Sequence, residues 1–157
     1  MSFSLDEFWA EFSALQTSAP ASPYKCAPFG DNAAMADEFG ALILKGTKTA
    51  TCSSLWEYEA TGEPLPQPGY RFIVLNGQEI PLCIIETTEV AIRSFRDVDD
   101  SFAFAEGEND RTLASWRKSH WEFFSRTLPR IDKCPDEDMP LVCEHFKVVF
   151  RHRNSDR

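Results

Sequence analysis

A lysine and a threonine three residues apart are the first candidates for chemistry in this sequence. Lys48 and Thr51 belong to the run Gly46-Thr47-Lys48-Thr49-Ala50-Thr51. A threonine hydroxyl can attack an acyl carbon if a nearby group removes its proton, and a lysine can be that base or stabilise a developing negative charge. The run is therefore a candidate site for chemistry. The alternative is a solvated lysine beside threonines that only fill a strand.

Two carboxylates later in the chain are candidates for acid or base work in the same site. Glu106 and Glu108 flank Gly107. Residues two apart in extended backbone share a face, so both can face one pocket, or one can bind while the other is solvated. Together with Lys48 and Thr51 they are interpreted as parts of one site.

The elements around the run must bring these groups together. A helix is predicted upstream because apolar residues recur at helical spacing: Met35, Phe39, Leu42 and Ile43. Gly46 is predicted to end it in the left-handed conformation, and the β-branched threonines favour a strand over 47–54. On a regular strand Lys48 and Thr51 would face opposite ways. They can line one pocket only if Lys48 still lies in the turn after Gly46.

The first part of the chain predicts a helix over 4–16 and a Pro-rich, lightly structured connector over 17–29. Ser4 and Glu7 have capping-box spacing. The apolar face of this helix is interpreted as core, with a partner-binding stripe as the alternative. Trp56 and Tyr58 are assigned to a rigid loop that continues through Pro64, Pro66, Pro68 and Gly69.

The second half predicts strands, a short turn and a long helix. A strand over 71–75 leads into Asn76-Gly77, the signature of a two-residue type I′ hairpin turn, and a return strand with a bulge or edge position at Pro81. A turn or short helix over 97–105 should carry three aromatic rings inward: Phe95, Phe102 and Phe104. A helix follows over 112–128, and Val142 to Phe150 alternates as a half-buried last strand.

Helices first and strands with long excursions later predict an α+β domain built on a small mixed or barrel-like sheet. No regular βαβ alternation occurs, which argues against a Rossmann-type fold. The 157 residues fit one domain spanning 1–157.

Charge and cysteine usage bound the environment and the partners. The formal net charge is −9 and the pI is near 4.8, so we expect no non-specific nucleic-acid affinity and no DNA partner. The five cysteines are odd in number and form no CxxC pair, which disfavours a disulfide framework. Without a leader or a long apolar run, we expect a cytoplasmic protein with no membrane partner.

Several reaction classes lack their signatures. The sequence contains no GxSxG, Walker, HExxH or GxGxxG motif. Cys134, Cys143 and His145 have the wrong spacing for zinc, so we expect neither a metal nor a cofactor. His120 lies on the predicted helix beside Trp116, where a hydrogen-bonded packing role is favoured over a catalytic one.

At this point the sequence resembles a known family. The run from Gly46 to Thr51 matches the GxKxxT motif of ASCH domains, the activating-signal-cointegrator homology domains. Further segments are similar to the longer bacterial ASCH proteins in order and spacing: Phe29-Gly30-Asp31, Ala36-Asp37-Glu38, Gly62-Glu63-Pro64, Glu106-Gly107-Glu108 and Trp116-Arg117-Lys118-Ser119-His120. The resemblance spans nearly the whole chain and implies a PUA-like mixed β-barrel with helices packed around it.

The resemblance also implies functions. Some small ASCH proteins are amidohydrolases that remove the acetyl group of N4-acetylcytidine, and others are reported as ribonucleases. Their catalytic lysine and threonine match Lys48 and Thr51, and their glutamate matches Glu108, with Glu106 as the rival. Those hydrolases carry a basic residue soon after the threonine, where this chain has Cys52-Ser53-Ser54.

Two mechanisms stay open for a hydrolase. A neutral Lys48 near pH 7 needs its pKa lowered by about three units from roughly 10.4, a cost of about 4 kcal/mol, and a close glutamate opposes that shift. Either Lys48 is the base and Glu108 serves the leaving amine, or a charged Lys48 stabilises the oxyanion and Glu108 is the base. Candidate substrate-binding residues are Trp56, Tyr58, Glu106 and Arg117.

Three functions follow in order of preference. The first is hydrolysis of an acyl amide on a modified nucleoside, and the second is binding of single-stranded RNA without that activity. The third is an interaction domain that uses the first helix. A pocket-sized nucleoside fits an acidic protein better than a polyanion does.

Overall fold

The computed structural model describes residues 4–16 and 25–151. In this part of the chain, helices and strands follow one another in the order α1 Leu5–Ala14, β1 Lys25–Pro28, α2 Ala33–Lys45, β2 Ala50–Ser54, α3 Leu55–Thr61, β3 Arg71–Leu75, β4 Pro81–Ser94, α4 Asp100–Glu106, α5 Leu113–Thr127 and β5 Pro140–Arg151. Single 3-10 turns cover Phe95–Asp97 and Leu128–Ile131.

The strands form a five-stranded mixed sheet in the order β1-β3-β4-β5-β2. β1 pairs with β3 in parallel, whereas β3 pairs with β4, and β2 with β5, in antiparallel fashion. β2 is therefore an edge strand among the described strands. The predicted α+β class with a small mixed sheet is confirmed.

The described residues divide into two compact units. Of the described residues, one unit holds those within Met1–Gly46, Tyr70–Glu86 and Lys147–Arg157, and the other holds Thr47–Gly69 and Thr87–Phe146. Every candidate site residue belongs to the second unit. A single domain over 1–157 stays a prediction.

In the first unit, the helix predicted at the start of the chain packs its aromatic face inward. The Ser4 hydroxyl accepts from the Glu7 amide at 3.1 Å and caps α1. Phe8, Trp9 and Phe12 are buried and pack with other buried residues of that unit, including Ile73 and Ile84. The core interpretation of this face is thus confirmed.

Two predictions in the first unit were wrong. Residues 25–28 of the predicted connector form β1, which pairs with β3, and residues 17–24 lie outside the described residues. The turn after β3 is longer than a two-residue type I′ turn, because Glu79 rather than Asn76 or Gly77 has positive φ. The Asn76 side chain instead accepts from the amides of Gln78 and Ile80.

The bulge or edge expected at Pro81 is present. The β3–β4 register shifts at this point, because Val74 pairs with Cys83 but Leu75 pairs with Pro81. Proline has no amide hydrogen to donate to the ladder, so it is tolerated at such an irregularity.

The core of the second unit joins buried rings and aliphatic side chains from three elements and the turn before α4: Phe95, Phe102, Trp116, Phe124 and Leu141. The helix predicted over 112–128 is confirmed as α5, with Thr112 capping it through an accepted hydrogen bond from the Ser115 amide.

Three details of the second unit differ from the prediction. Trp56 and Tyr58 lie in helix α3 rather than in a loop. Phe104 is 57% exposed, with the Arg111 guanidinium stacked over its ring at 3.5 Å, so it does not point inward. Residues 141–143 of β5 are buried consecutively, so this stretch is covered on both faces and does not alternate.

Within residues 4–16 and 25–151, every helix is too short or too polar to cross a lipid bilayer.

Candidate active site

The loop that carries Lys48 is clamped on both sides. β2 begins only at Ala50, so Lys48 lies in the loop before the strand. The Thr49 amide donates to the Ala105 carbonyl at 2.8 Å, and the Thr49 carbonyl accepts from the Phe146 amide at 3.0 Å. These bonds fix the backbone on either side of the lysine.

Lys48 is a buried cation with two carboxylate partners. Its side chain is 1% exposed. The ammonium Nζ lies 2.7 Å from Glu108 Oε2 and 3.1 Å from Glu106 Oε1, and donates to the Ala50 carbonyl at 2.9 Å. The Ala50 carbonyl belongs to the peptide that leads into Thr51. The charge of Lys48 therefore lies beside the backbone of the candidate nucleophile.

Glu106 connects Lys48 to helix α5. It is 1% exposed, and its Oε2 accepts from the indole Nε1 of Trp116 and lies 3.0 Å from His120 Nε2. His120 Nδ1 lies 2.9 Å from the Trp116 carbonyl, which can only accept. Both ring nitrogens of His120 thus face acceptors, which favours the doubly protonated imidazolium. Its ring stacks on Trp116 with centroids 4.2 Å apart.

The four ionisable groups form a chain of alternating charge that runs His120, Glu106, Lys48, Glu108. Burial lowers the pKa of Lys48, but the charges and hydrogen bonds of Glu106 and Glu108 together outweigh burial, so the pKa ends above its ordinary value. Burial likewise lowers the pKa of His120, but the charge and hydrogen bond of Glu106 together with the charge of Glu108 raise it by more, so the pKa ends above its ordinary value.

Glu106 is held ionised by the same contacts. Burial raises its pKa, but His120 and then Lys48 lower it well below the ordinary range. The arrangement therefore keeps both cations protonated and Glu106 deprotonated near neutral pH. Glu108 is 11% exposed, so it is the end of the chain of charges that solvent or a substrate can reach.

A glycine allows the two carboxylates to approach the lysine. Gly107 ends α4 with φ +70, a conformation that glycine adopts without strain. A Cβ at this position would lie 2.4 Å from the Thr47 carbonyl oxygen and 3.0 Å from Lys48 Cα. The close approach of the two backbones thus requires glycine between Glu106 and Glu108.

Thr51 lies on the other face of β2 from the charge chain. The next residue, Cys52, has its thiol within 4.8 Å of ligand atoms of Glu106 and His120. Adjacent residues in a strand point to opposite faces, so the Thr51 hydroxyl points away from that buried face. Thr51 is directly opposite Glu144 on β5.

The predicted substrate-binding residues fall in different places. Glu106 lies inside the charge chain. Trp56 packs against the core of the second unit, with Lys133 Nζ 5.4 Å from its ring centroid, and Tyr58 is half-buried near Ser53. Arg117 Nη2 donates to the Arg96 carbonyl at 3.1 Å. The binding roles of these residues stay predictions.

Sequence reasoning placed His120 in a packing role and did not include Trp116 or His120 in the site. Their i, i+4 spacing on α5 is the signal that could have found them, because it puts both polar ring nitrogens on one helical face. Both ring nitrogens bind Glu106, which is ten residues before Trp116 in the sequence and contacts it only in the folded protein.

Cys52, Glu106 and His120 have the donor types of a metal site, with ligand atoms within 4.8 Å of one another. The chemistry of the trio does not fit that use. Burial raises the pKa of Cys52 well above its ordinary value. Both oxygens of Glu106 already accept hydrogen bonds, and both ring nitrogens of His120 face acceptors.

Comparison with known proteins identifies the family. The ASCH domain profile matches residues 25–150. The fold resembles that of an ASCH domain from Lactobacillus crispatus JV V101, with TM-score 0.86, 35% identity and 92% of each chain covered. It also resembles protein EF3133 from Enterococcus faecalis V583, with TM-score 0.89, 38% identity, and 97% of this chain and 91% of that chain covered. No curated protein matches the sequence. The chain belongs to the ASCH domain family, a family with the PUA-like fold.

Proposed function

We propose that this protein hydrolyses the acyl amide of a modified nucleoside, with Thr51 as the nucleophile. The observation that carries the proposal is the buried, doubly paired Lys48, whose ammonium binds the peptide leading into Thr51. Buried cations are costly, and an enzyme site is where such a cost is offset by function.

The charge state of Lys48 favours one of the two mechanisms. Its raised pKa supports a permanently charged lysine, which is the mechanism in which Lys48 is not the base.

In the first step, Thr51 Oγ1 forms a bond to the acyl carbon while a base on its own face of β2 takes its proton, because Glu108 lies with the charge chain on the other face. The C–N bond then breaks, and that base returns the proton to the departing amine. Water hydrolyses the resulting threonine ester, releasing a carboxylic acid and the free hydroxyl.

The test is a screen of the purified protein against N-acylated nucleosides, with N4-acetylcytidine first. Thr51→Val keeps the branched shape and removes the nucleophilic oxygen, so it should lower kcat by at least about a thousandfold. The matched control is Thr88→Val, the same change at an exposed position of β4, which should leave kcat unchanged. Turnover by folded Thr51→Val at a near wild-type rate excludes Thr51.

The alternative function, binding of single-stranded RNA, predicts an affinity that falls steeply as the salt concentration rises. Three of the cations that could contact phosphate are paired with carboxylates: Lys48, Arg71 with Glu86 at 3.0 Å, and Arg93 with Asp99 at 3.6 Å. We therefore expect weak RNA binding at physiological salt. RNA would be the primary ligand if it bound tightly and no nucleoside were hydrolysed. In that case the logarithm of the binding constant should fall with the logarithm of the salt concentration, with a slope of about −0.7 for each of several contacted phosphates.

A further inference from the structure

The face of β2 that carries Thr51 holds a second set of polar groups. Thr51 is directly opposite Glu144 in the β2–β5 ladder. Directly opposite residues have side chains on the same face, with Cβ atoms about 4.5–5.5 Å apart. The neighbouring pair, Cys52 and Cys143, occupies the buried face with the charge chain. Thr51 and Glu144 therefore share a surface that the charge chain does not occupy.

Glu144 has one oxygen in use and one available. Its Oε1 accepts from the Thr87 hydroxyl at 2.9 Å. Its Oε2 makes no hydrogen bond to any residue within 4–16 or 25–151. The side chain is half-buried, and burial raises the pKa of its carboxyl, partly offset by the Thr87 hydrogen bond. A partly desolvated acceptor without a partner is a candidate to receive a ligand donor.

Neighbouring groups define what the ligand can be. Burial raises the pKa of Tyr58, its contact with Ser53 lowers it, and the charges of Glu144, Glu63 and Glu57 raise it further. The surface thus combines hydroxyls with several negative charges. A phosphate would be repelled there, whereas a neutral molecule that donates hydrogen bonds would be favoured.

We propose that Glu144 Oε2, beside Thr51 and Tyr58, is a binding subsite for the N–H donor of a neutral nitrogen heterocycle, such as the amino edge of a nucleobase. The inference rests on the proposed function in one respect: with Thr51 as nucleophile, the donor bound by Glu144 is the N–H of the scissile amide. Glu144 is then a specificity residue that orients the amide against the Thr51 hydroxyl.

The experiment is a titration followed by amide chemical shifts, using two probes. Cytidine carries an exocyclic amino group, and N4,N4-dimethylcytidine replaces both of its hydrogens. For the wild-type protein, cytidine should perturb the amides of Thr51, Ser53 and Glu144, and dimethylcytidine should bind about tenfold more weakly. Because this arm changes the ligand and not the protein, it does not depend on a variant that folds.

The protein arm uses Glu144→Gln with a matched control. Glu144→Gln replaces the charged acceptor with a neutral one and should weaken cytidine binding about tenfold. Glu89→Gln makes the same change at an exposed position of β4 and should not alter the affinity. Equal affinity of both probes for the wild type, or shifts confined to residues away from β2 and β5, would overturn the subsite.

The two proposals fail separately. If the wild type hydrolyses no acylated nucleoside but binds cytidine as described, the proposed function is wrong and the subsite stands. If the wild type hydrolyses its substrate and Glu144→Gln leaves both kcat/KM and cytidine affinity unchanged, the subsite is wrong and the proposed function stands.

Discussion

Each face of strand β2 lies beside a glutamate, and the two glutamates have different surroundings. On the buried face, Glu106 is 1% exposed and shares its oxygens among Lys48, Trp116 and His120. On the other face, Glu144 is half-buried and uses one oxygen for Thr87. The first carboxylate is held ionised by two cations, whereas burial raises the pKa of the second.

The difference shows how one strand can hold a rigid charge network on one face and leave the other face available to a ligand. A saturated network of buried charges is rigid, because breaking any contact leaves a charge without a partner. A half-satisfied carboxylate beside a hydroxyl is available to a ligand. We infer that the buried face positions Lys48 and Glu108, and that the ligand is held on the face of Thr51 and Glu144.

The same substitution on each face gives the largest expected contrast. Glu106→Gln leaves Lys48 and His120 facing a neutral group inside the core, so it should lower the free energy of unfolding by about 3–5 kcal/mol. Glu144→Gln loses part of one hydrogen bond at a half-buried position and should cost about 1 kcal/mol or less. Urea unfolding of both variants measures the two costs, and equal costs would contradict the comparison.

A pair of glycines tests how tightly the buried face is built. Gly107→Ala places a Cβ against the Thr47 carbonyl and also forces alanine to adopt positive φ. It should therefore lower the free energy of unfolding by about 3 kcal/mol. Gly62 ends α3 with φ +75 and a Cβ there would meet nothing within 4 Å. Gly62→Ala should therefore cost only about 1 kcal/mol. Thermal unfolding of both variants should show this difference, and a smaller loss at Gly107 would mean that the two backbones can separate.

The protonated state of His120 predicts how stability depends on pH. Its pKa is raised in the folded protein, so its stabilising effect is complete below the unfolded value of about 6.5 and is lost as pH rises through the folded value. The free energy of unfolding should fall over that interval by about 1–2 kcal/mol.

His120→Gln should remove this slope, because glutamine does not titrate. His145→Gln, on β5, is the control and should retain it. The measurement is chemical unfolding at a series of pH values from 5 to about 9. A wild-type stability that rises across this range would show that His120 is neutral beside Glu106.

The smallest effect on stability is expected at Thr51. Thr51→Val keeps the β-branched shape in an edge strand, so its cost should be under about 1 kcal/mol. The measurement is the urea midpoint, read together with the loss of turnover described above. A large loss of stability would show that the Thr51 hydroxyl has a structural partner on its face of β2.

Local signals were enough to predict most elements. The left-handed Gly46 that ends α2, the Ser4 cap of α1 and the periodicity of α5 each depend on nearby residues. Helix α3 was missed although Gly62 ends it, because its seven residues precede a Pro-rich stretch that favours loop. The length of the hairpin turn was predicted wrongly because the Asn76 side chain shapes the turn by accepting hydrogen bonds from two backbone amides.

The site could be predicted only in part, for a physical reason. The motif led to Lys48, and the Glu-Gly-Glu segment led to both of its carboxylate partners. The roles of Trp116 and His120 depend on a buried contact between α4 and α5 that no local pattern encodes. Likewise, Glu144 is a candidate binding residue only because the strand register places it opposite Thr51.

The central claim is that Thr51 attacks the acyl group of a bound nucleoside while Lys48 stays charged. It is tested most directly by mixing the protein with N4-acetylcytidine, quenching rapidly with acid and mapping any acyl group by peptide mass spectrometry. The account predicts a transient acyl ester on the peptide that contains Thr51, absent in Thr51→Val and present in Thr88→Val. Release of cytidine at the wild-type rate by Thr51→Val, or an acyl group on another residue, would contradict it.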